Sequence, residues 1–297
     1  MSLQRIESLP SLPPRPADSN KGQFGHVLVV AGSRGLAGAA ALCGASALRS
    51  GAGLVRIASP AEVQPVVASF EPSYMTYPLP QDEDGLIDFE AARPRLERLA
   101  AAATVVAAGP GLGQSDGILA VVRWLLESSG KPLVLDADAL NVLSAGHLDL
   151  LGRRDQPVVI TPHPGEMARL VGDTAKDVQA ARVDQAAKLA GRFEALTVVL
   201  KGTGTVVTDG RRVYVNTTGN PGMATGGTGD CLTGVVAAMI GQGLPPFEGA
   251  QLGVYIHGLA GDIAKDQNGV IGLIAGDIVD ALPDAFEHAS RDPDIGF

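Results

Sequence analysis

Asn220-Pro221-Gly222-Met223-Ala224-Thr225-Gly226-Gly227-Thr228-Gly229-Asp230 runs directly into an apolar stretch, residues 231–240, that reads as a helix. A backbone without Cβ atoms can approach an anion closely, and the unpaired N–H groups of a first helical turn point at it. The helix dipole adds about half a positive charge at that end. Such a loop can stabilise a phosphoryl group in transfer with few cationic side chains. Asp230, which closes the segment, has two readings. An acid in a first helical turn is favoured by the dipole alone. The same carboxylate could also act as a general base, taking the proton of a substrate hydroxyl as its oxygen attacks phosphorus. The neighbouring anion site favours the base.

Upstream, short β-branched runs alternate with longer Ala- and Leu-rich segments. Residues 26–31, 54–58, 104–108, 133–136, 157–160, 197–201 and 205–208 read as strands, and 212–215 pairs with its predecessor across the Asp209-Gly210 turn. Near-continuous apolar strands separated by helices predict a three-layer α/β fold, a mainly parallel central sheet with helices on both faces. Ligands of such sheets gather beyond the carboxyl ends of the strands. Gly109-Pro110-Gly111, Asp136, residues 161–166 and Lys201 fall there. With no internal repeat and no linker, residues 23–297 read as one domain, and the Pro-rich residues 1–22 as an arm or poorly ordered lead-in.

Composition narrows the function classes. The chain has 297 residues, 45% of them hydrophobic, which is enough for a sizeable core. Aromatics are scarce while Gly reaches 38, so tight packing of small and branched residues is expected. Lys and Arg number 23 against 32 Asp and Glu, a net charge of −9 without a basic cluster, which argues against nucleic-acid binding. Cys43 and Cys231 lie far apart, outside any metal spacing, and read as buried thiols of a reducing, cytoplasmic compartment. The N-terminus lacks the basic start and apolar run of a signal peptide, and the longest apolar stretch, 99–109, is too short to cross a bilayer. No membrane role is expected.

Further motifs have two readings each. Lys201-Gly202-Thr203-Gly204-Thr205 joins two strands, either as a plain hairpin turn or as a loop lining a ligand. His163 is a hydrogen-bonded loop residue or a substrate contact, and Glu166 a dipole-favoured acid or a support for a metal. Asp136 and Asp138 point to opposite sides if strand geometry persists, so at most one faces the site; an N-cap role is expected of the other, with Asn141 capping or pairing nearby. Cys231, at a helix start without a local His or Lys, reads as core packing rather than a nucleophile. The segment 32–40 follows a strand but lacks GxGxxG spacing, and no acid closes the following strand, so a conventional dinucleotide fingerprint is a poor reading.

Gly227-Thr228-Gly229-Asp230 matches the GxGD signature of ribokinase-like kinases, and the longer string resembles the ADP/ATP-dependent NAD(P)H-hydrate dehydratase branch of that superfamily. Supporting segments recur in the same order: Lys21-Gly22 with 25–32, Gly109-Pro110-Gly111-Leu112-Gly113, Asp136-Ala137-Asp138-Ala139-Leu140-Asn141, Thr161-Pro162-His163-Pro164-Gly165-Glu166, and 201–205. Together they span about residues 21 to 265. Sugar and vitamin kinases of this fold usually carry Asn-x-x-Glu where this chain has His163 and Glu166; the dehydratase branch looks like this chain.

The resemblance implies a ribokinase-like fold and a lyase of metabolite repair, which returns (6S)-hydrated NADH and NADPH to NADH and NADPH. Asp230 would assist the C6 hydroxyl in attacking the terminal phosphoryl group of ADP or ATP, with ADP preferred, and the amides of Gly226, Gly227, Thr228 and Gly229 would hold the developing charge. Lys201, Gly202, Thr203, Gly204 and Thr205 would line the nucleotide; Ala39, Ala40, Gly111, Gly113, His163 and Asp230 would meet the substrate. It further implies Mg2+, with Glu166 acting through water and Asp136 near phosphate or metal, a separate epimerase, and a homo-oligomer. The runner-up is a hydroxyl kinase of the thiazole or hydroxymethylpyrimidine type, which His163 argues against. A non-catalytic nucleotide-binding regulator is the third reading, and it has no need of a carboxylate beside an anion pocket.

Overall fold

The structure is a computed structural model and describes residues 3–291. The described residues form ten strands: β1 (Gln4–Arg5), β2 (His26–Val30), β3 (Leu54–Pro60), β4 (Met75–Leu79), β5 (Val105–Ala108), β6 (Leu133–Leu135), β7 (Val158–Ile160), β8 (Leu196–Leu200), β9 (Val206–Thr208) and β10 (Arg212–Val215). They form one sheet in the order β1-β10-β9-β8-β7-β6-β5-β2-β3-β4, and only β9 runs against the rest. The helices are α1 (Ala37–Arg49), α2 (Gln64–Phe70), α3 (Phe89–Ala101), α4 (Asp116–Ser128), α5 (Asp138–Ser144), α6 (Pro164–Val171), α7 (Ala175–Ala180), α8 (Arg182–Ala190), α9 (Thr228–Gly241), α10 (Pro246–Gly272, interrupted at Gly269) and α11 (Ala275–Arg291).

Strand periodicity divides the core. Val27 and Val29 of β2 face the layer containing α1, α9, α10 and α11, whereas Leu28 and Val30 face the layer containing α3, α4, α5 and α6. Both faces are dry, so the strands need no polar alternation. The expected three-layer, mainly parallel architecture is the one observed. Two edge strands escape the sequence reading. β4 contains Pro78, which a central strand would not tolerate but an edge strand does, because its outer side needs no N–H donor. β1 is only two residues long and pairs in parallel with β10.

That pairing begins a longer attachment of the Pro-rich arm. Ile6 N–H donates to the Val213 carbonyl at 2.8 Å, and the Gln251 side chain donates to the Ser8 carbonyl at 2.7 Å. Arg15 donates to the Gly51 carbonyl and the Gln242 side chain, each at 2.6 Å, and stacks over the Phe24 ring at 3.9 Å. The carboxyl ends of the parallel strands lie at the opposite rim of the sheet from their starts, and four of the loops leaving them build the site.

Candidate active site

Four chain segments bring charge together. β6 stops at Leu135, and the backbone after Asp136 turns through Ala137 at φ 47° and ψ −118°. Among the described residues Ala137 is the only non-glycine with positive φ. Such a conformation costs on the order of 1–3 kcal/mol and persists only where surrounding contacts impose it. Gly109, at the end of the adjacent β5, leaves the space: a Cβ there would lie 1.8 Å from the Asp136 carbonyl oxygen.

Asp136 is 1% exposed, and both its carboxylate oxygens are engaged. Lys201 Nζ, from the residue after β8, donates to Oδ1 at 2.6 Å. Thr233 Oγ1, on α9, donates to Oδ2 at 2.8 Å. Burial opposes the charge on Lys201, but Asp136 and then Glu166, whose Oε2 lies 3.9 Å from Nζ, outweigh it and hold the ammonium above its ordinary pKa.

α9 begins behind Gly227, which adopts φ 90° and supplies no side-chain cap. A Cβ at Gly227 would lie 2.6 Å from Leu42 Cδ1, but it is the positive φ that favours glycine there. The first-turn N–H groups are therefore left without a side-chain acceptor, as an anion site requires. Lys201 lies directly beside this turn, its Nζ 3.1 Å from where a Gly229 Cβ would stand. Asp230, in the same turn, is half-buried. Burial, and next the negative charge of Asp136, push its carboxyl up to about 6 although Lys201 pulls the other way.

Glu166 and His163 adjoin the same cluster, Glu166 Oε1 lying 3.5 Å from His163 Nε2. His163 is the N-cap of α6: its Nδ1 accepts the N–H groups of Gly165 at 3.0 Å and Glu166 at 3.3 Å, and its own N–H donates to Glu166 Oε2 at 2.7 Å. This is a capping box with an imidazole in the place of a hydroxyl. Burial, then Lys201 and Arg169, lower the pKa of His163, so the ring is neutral at physiological pH, and acceptance at Nδ1 assigns the proton to Nε2. That ring is half-exposed toward solvent. Glu166 is buried, and burial pushes its carboxyl up to about 7 against the pull of Lys201. Among the described residues no three acidic, His or Cys side chains stand close enough to hold a metal ion by themselves.

Other expected residues are placed differently. The 201–205 segment is the hairpin connection between antiparallel β8 and β9, tied down by Arg182 Nη2 donating to the Leu200 carbonyl at 2.8 Å and by Thr205 Oγ1 donating to the Gly202 carbonyl at 2.8 Å. Gly202 and Thr203 remain exposed on it, so a turn and a ligand-lining loop are compatible. Gly226 is exposed just before the first turn of α9. Thr228 turns its hydroxyl to the Thr225 carbonyl at 2.8 Å, leaving only its backbone for a ligand.

Of the residues expected to meet the substrate, Ala40 is turned fully into the core by helical periodicity. Gly111 is likewise buried, its missing Cβ position 3.1 Å from Ala39 Cβ, while Ala39 and Gly113 stay partly exposed. The expected N-cap role for Asp138 is corrected. Its Oδ2 accepts Gly113 N–H at 2.8 Å and its Oδ1 accepts Asn141 Nδ2 at 3.1 Å, while Ala137 occupies the cap position. Because the strand ends at Leu135, alternation does not send the two acids apart: both Asp136 and Asp138 contribute to the raised pKa of Asp230. Cys231 is fully buried and its thiol is pushed up to about 12 by burial.

Two residues of the site were not singled out from sequence. Thr233 anchors Asp136, and His257 Nε2 on α10 lies 3.0 Å from the Thr228 carbonyl; burial lowers the His257 pKa to about 4, so it donates as a neutral ring. The signal available for each was a lone polar residue within an apolar helical run.

Comparison with known proteins gives a consistent result. The sequence model of the NAD(P)H-hydrate dehydratase family matches residues 27–284. The bifunctional NAD(P)H-hydrate repair enzyme of Moorella thermoacetica is 48% identical over 274 residues, covering 92% of this chain and 51% of that protein. The ADP-dependent (S)-NAD(P)H-hydrate dehydratase of Neisseria meningitidis is 40% identical, covering 90% of this chain and 86% of that protein. The crystal structure of the ADP/ATP-dependent NAD(P)H-hydrate dehydratase from Bacillus subtilis, grown with ATP and Mg2+, superposes with a TM-score of 0.78 at 31% identity, covering 94% of each chain. The chain spans about half the length of the bifunctional relatives it matches.

Proposed function

This chain belongs to the NAD(P)H-hydrate dehydratase family, and from that membership we propose that it spends ADP, or ATP, to return (6S)-hydrated NADH and NADPH to NADH and NADPH. The observation that carries this reading is a desolvated carboxyl, Asp230, in the first turn of a helix whose N–H groups have no side-chain cap, with one ammonium beside it. A carboxyl pushed up to about 6 is a stronger base than an ordinary aspartate yet ionised at neutral pH, which suits general-base work. Asp230 takes the proton of the C6 hydroxyl as that oxygen bonds to the terminal phosphorus, and the phosphorus–oxygen bond to the rest of the nucleotide breaks. Gly226–Gly229 amides and Lys201 hold the phosphoryl oxygens. The C6–O bond then breaks as the ring nitrogen lone pair moves in, inorganic phosphate leaves, and loss of a C5 proton restores the dihydronicotinamide.

Mg2+ arriving on the nucleotide would neutralise phosphate charge, and Glu166, desolvated and acidic, is the residue suited to hold one of its waters. Asn at His163, usual in the kinases, could cap α6 equally well, so the cap alone does not select between the two chemistries. Residues 23–297 serve in this reading as one catalytic domain with residues 1–22 as its arm, working in the cytoplasm; no described helix is long and apolar enough to cross a membrane. The bifunctional relatives carry more than one repair activity by name, and this chain spans about half their length. Self-association is supported by Phe70 and Ile274, about three-fifths exposed beside an apolar groove of about 770 Å3 between α1 and α11.

The test is incubation of the purified chain with hydrated NADH, Mg2+ and either ADP or ATP. Reduced-nicotinamide absorbance and free phosphate should appear together, faster with ADP. A stable phosphorylated product would transfer the chain to the kinases, and binding without turnover would make it a regulator.

A further inference from the structure

We propose that Asp136 is a positioning residue of the phosphoryl-transfer site: its buried carboxylate fixes the Lys201 ammonium beside the first turn of α9 and does not itself touch nucleotide or metal. The proposal rests on the reading of that turn as the phosphate site.

The geometry leaves Asp136 little other employment. At 1% exposure it is closed to solvent, and each of its two oxygens already accepts a hydrogen bond, from Lys201 Nζ at 2.6 Å and Thr233 Oγ1 at 2.8 Å. A metal ligand would need a lone pair directed into the site, and a phosphate contact would set two anions against each other. What the carboxylate does instead is join three elements: the end of β6, the end of β8 and the first turns of α9. Thr233 Oγ1 also lies 3.2 Å from the Gly229 carbonyl, so the anchor sits under the turn whose N–H groups face outward. An ammonium has three donors, so one spent on Asp136 leaves two for phosphate oxygens. A lysine stem is otherwise free to rotate, and the counter-ion removes that freedom before the nucleotide arrives. The strained turn at Ala137 follows directly, redirecting the chain into α5 one residue after the buried carboxylate.

A double-mutant cycle decides the matter. Asp136→Asn, Lys201→Met and the double variant are compared for kcat, for ADP affinity by calorimetry, and for the Mg2+ concentration giving half-maximal rate. Asp136→Asn alone should lower kcat by about tenfold or more and shift ADP affinity by at least about threefold. In the Lys201→Met background the same change should cost less than about twofold in either quantity, because the ammonium it acts through is gone. The Mg2+ requirement should stay within about twofold throughout. An equal cost of Asp136→Asn in both backgrounds, no cost in the wild-type background, or a rise of about tenfold in the Mg2+ requirement would overturn the proposal.

Lys201→Met leaves a buried carboxylate without its counter-ion. If that variant does not fold, Thr233→Val replaces it: both charges remain but the anchor is loosened. It should lower kcat several-fold with the Mg2+ requirement unchanged, and an unaltered kcat would overturn the proposal. Absence of hydrate turnover by the wild type would end the dehydratase reading alone, since the ADP-affinity arm still tests the coupling.

Discussion

A carboxylate in the first turn of an uncapped helix lies in a favourable dipole field, yet Asp230 is pushed up to about 6. Burial and the adjacent Asp136 outweigh both the dipole and Lys201. Two consequences follow for the proposed reaction. Asp230→Asn should lower kcat by a factor on the order of 10² or more with ADP affinity little changed, measured by steady-state kinetics and calorimetry. In the wild type, kcat/KM should fall as pH drops through about 6, because the base must be deprotonated to act. The same shift carries a sign for stability. The folded state prefers Asp230 protonated, so ionising it costs stability, from the ordinary 3.8 upward and in full above about 6. Asp230→Asn should therefore be more stable than the wild type at pH 8, by on the order of 1–3 kcal/mol, with the gap closing as pH falls toward 4. Thermal unfolding at the two pH values checks this, and a less stable variant at pH 8 would contradict it.

At the scale of elements, α6 shows how a site residue can also be part of the scaffold. His163 accepts two first-turn N–H groups through Nδ1, so its removal should expose a helix end, whatever it does to the proposed substrate contact. His163→Ala should cost about 1 kcal/mol of stability, whereas His163→Asn, which retains a capping acceptor, should cost less than about half of that. Denaturant midpoints separate the two, and activity measured alongside shows whether Nε2 has a separate part in binding. Much of this element-scale detail was invisible in the residue order. The Thr161–Glu166 segment placed His163 and Glu166 on the ligand rim, but which ring nitrogen is occupied depends on the turn geometry of α6. Asp136 and Asp138 were read through strand alternation, and β6 ends before either of them. The resemblance named Ala39 and Ala40 together, while one step around a helix separates the half-exposed Ala39 from the buried Ala40.

For the whole molecule, the single parallel direction of most strands collects Asp136, the 161–166 loop and Lys201 at one rim, and α9 delivers its N-terminus to the same place. The net charge of −9 is compatible with a polyphosphate ligand because peptide dipoles and one fixed ammonium supply the local positive potential. The arm contributes elsewhere: its anchors are to Val213, Gly51, Gln242 and Gln251, none of them in the site. A variant lacking residues 1–16 should unfold at lower temperature while its folded fraction keeps the wild-type kcat. Loss of kcat at a temperature where circular dichroism shows the variant folded would place the arm in the site after all.

Read alone, the sequence determined the layer order, the parallel sheet and the glycine loop before α9, because apolar periodicity and glycine placement act locally and leave their mark in residue order. It also brought the right loops to one rim, since strand direction follows from the alternation of strands and helices. Only the tertiary structure decided what each acid does. Whether a carboxylate serves as base, anchor or cap depends on which ammonium, hydroxyl or amide stands within hydrogen-bond reach and on how much water is excluded, and Lys201, Thr233 and Asp136 come from segments far apart along the chain.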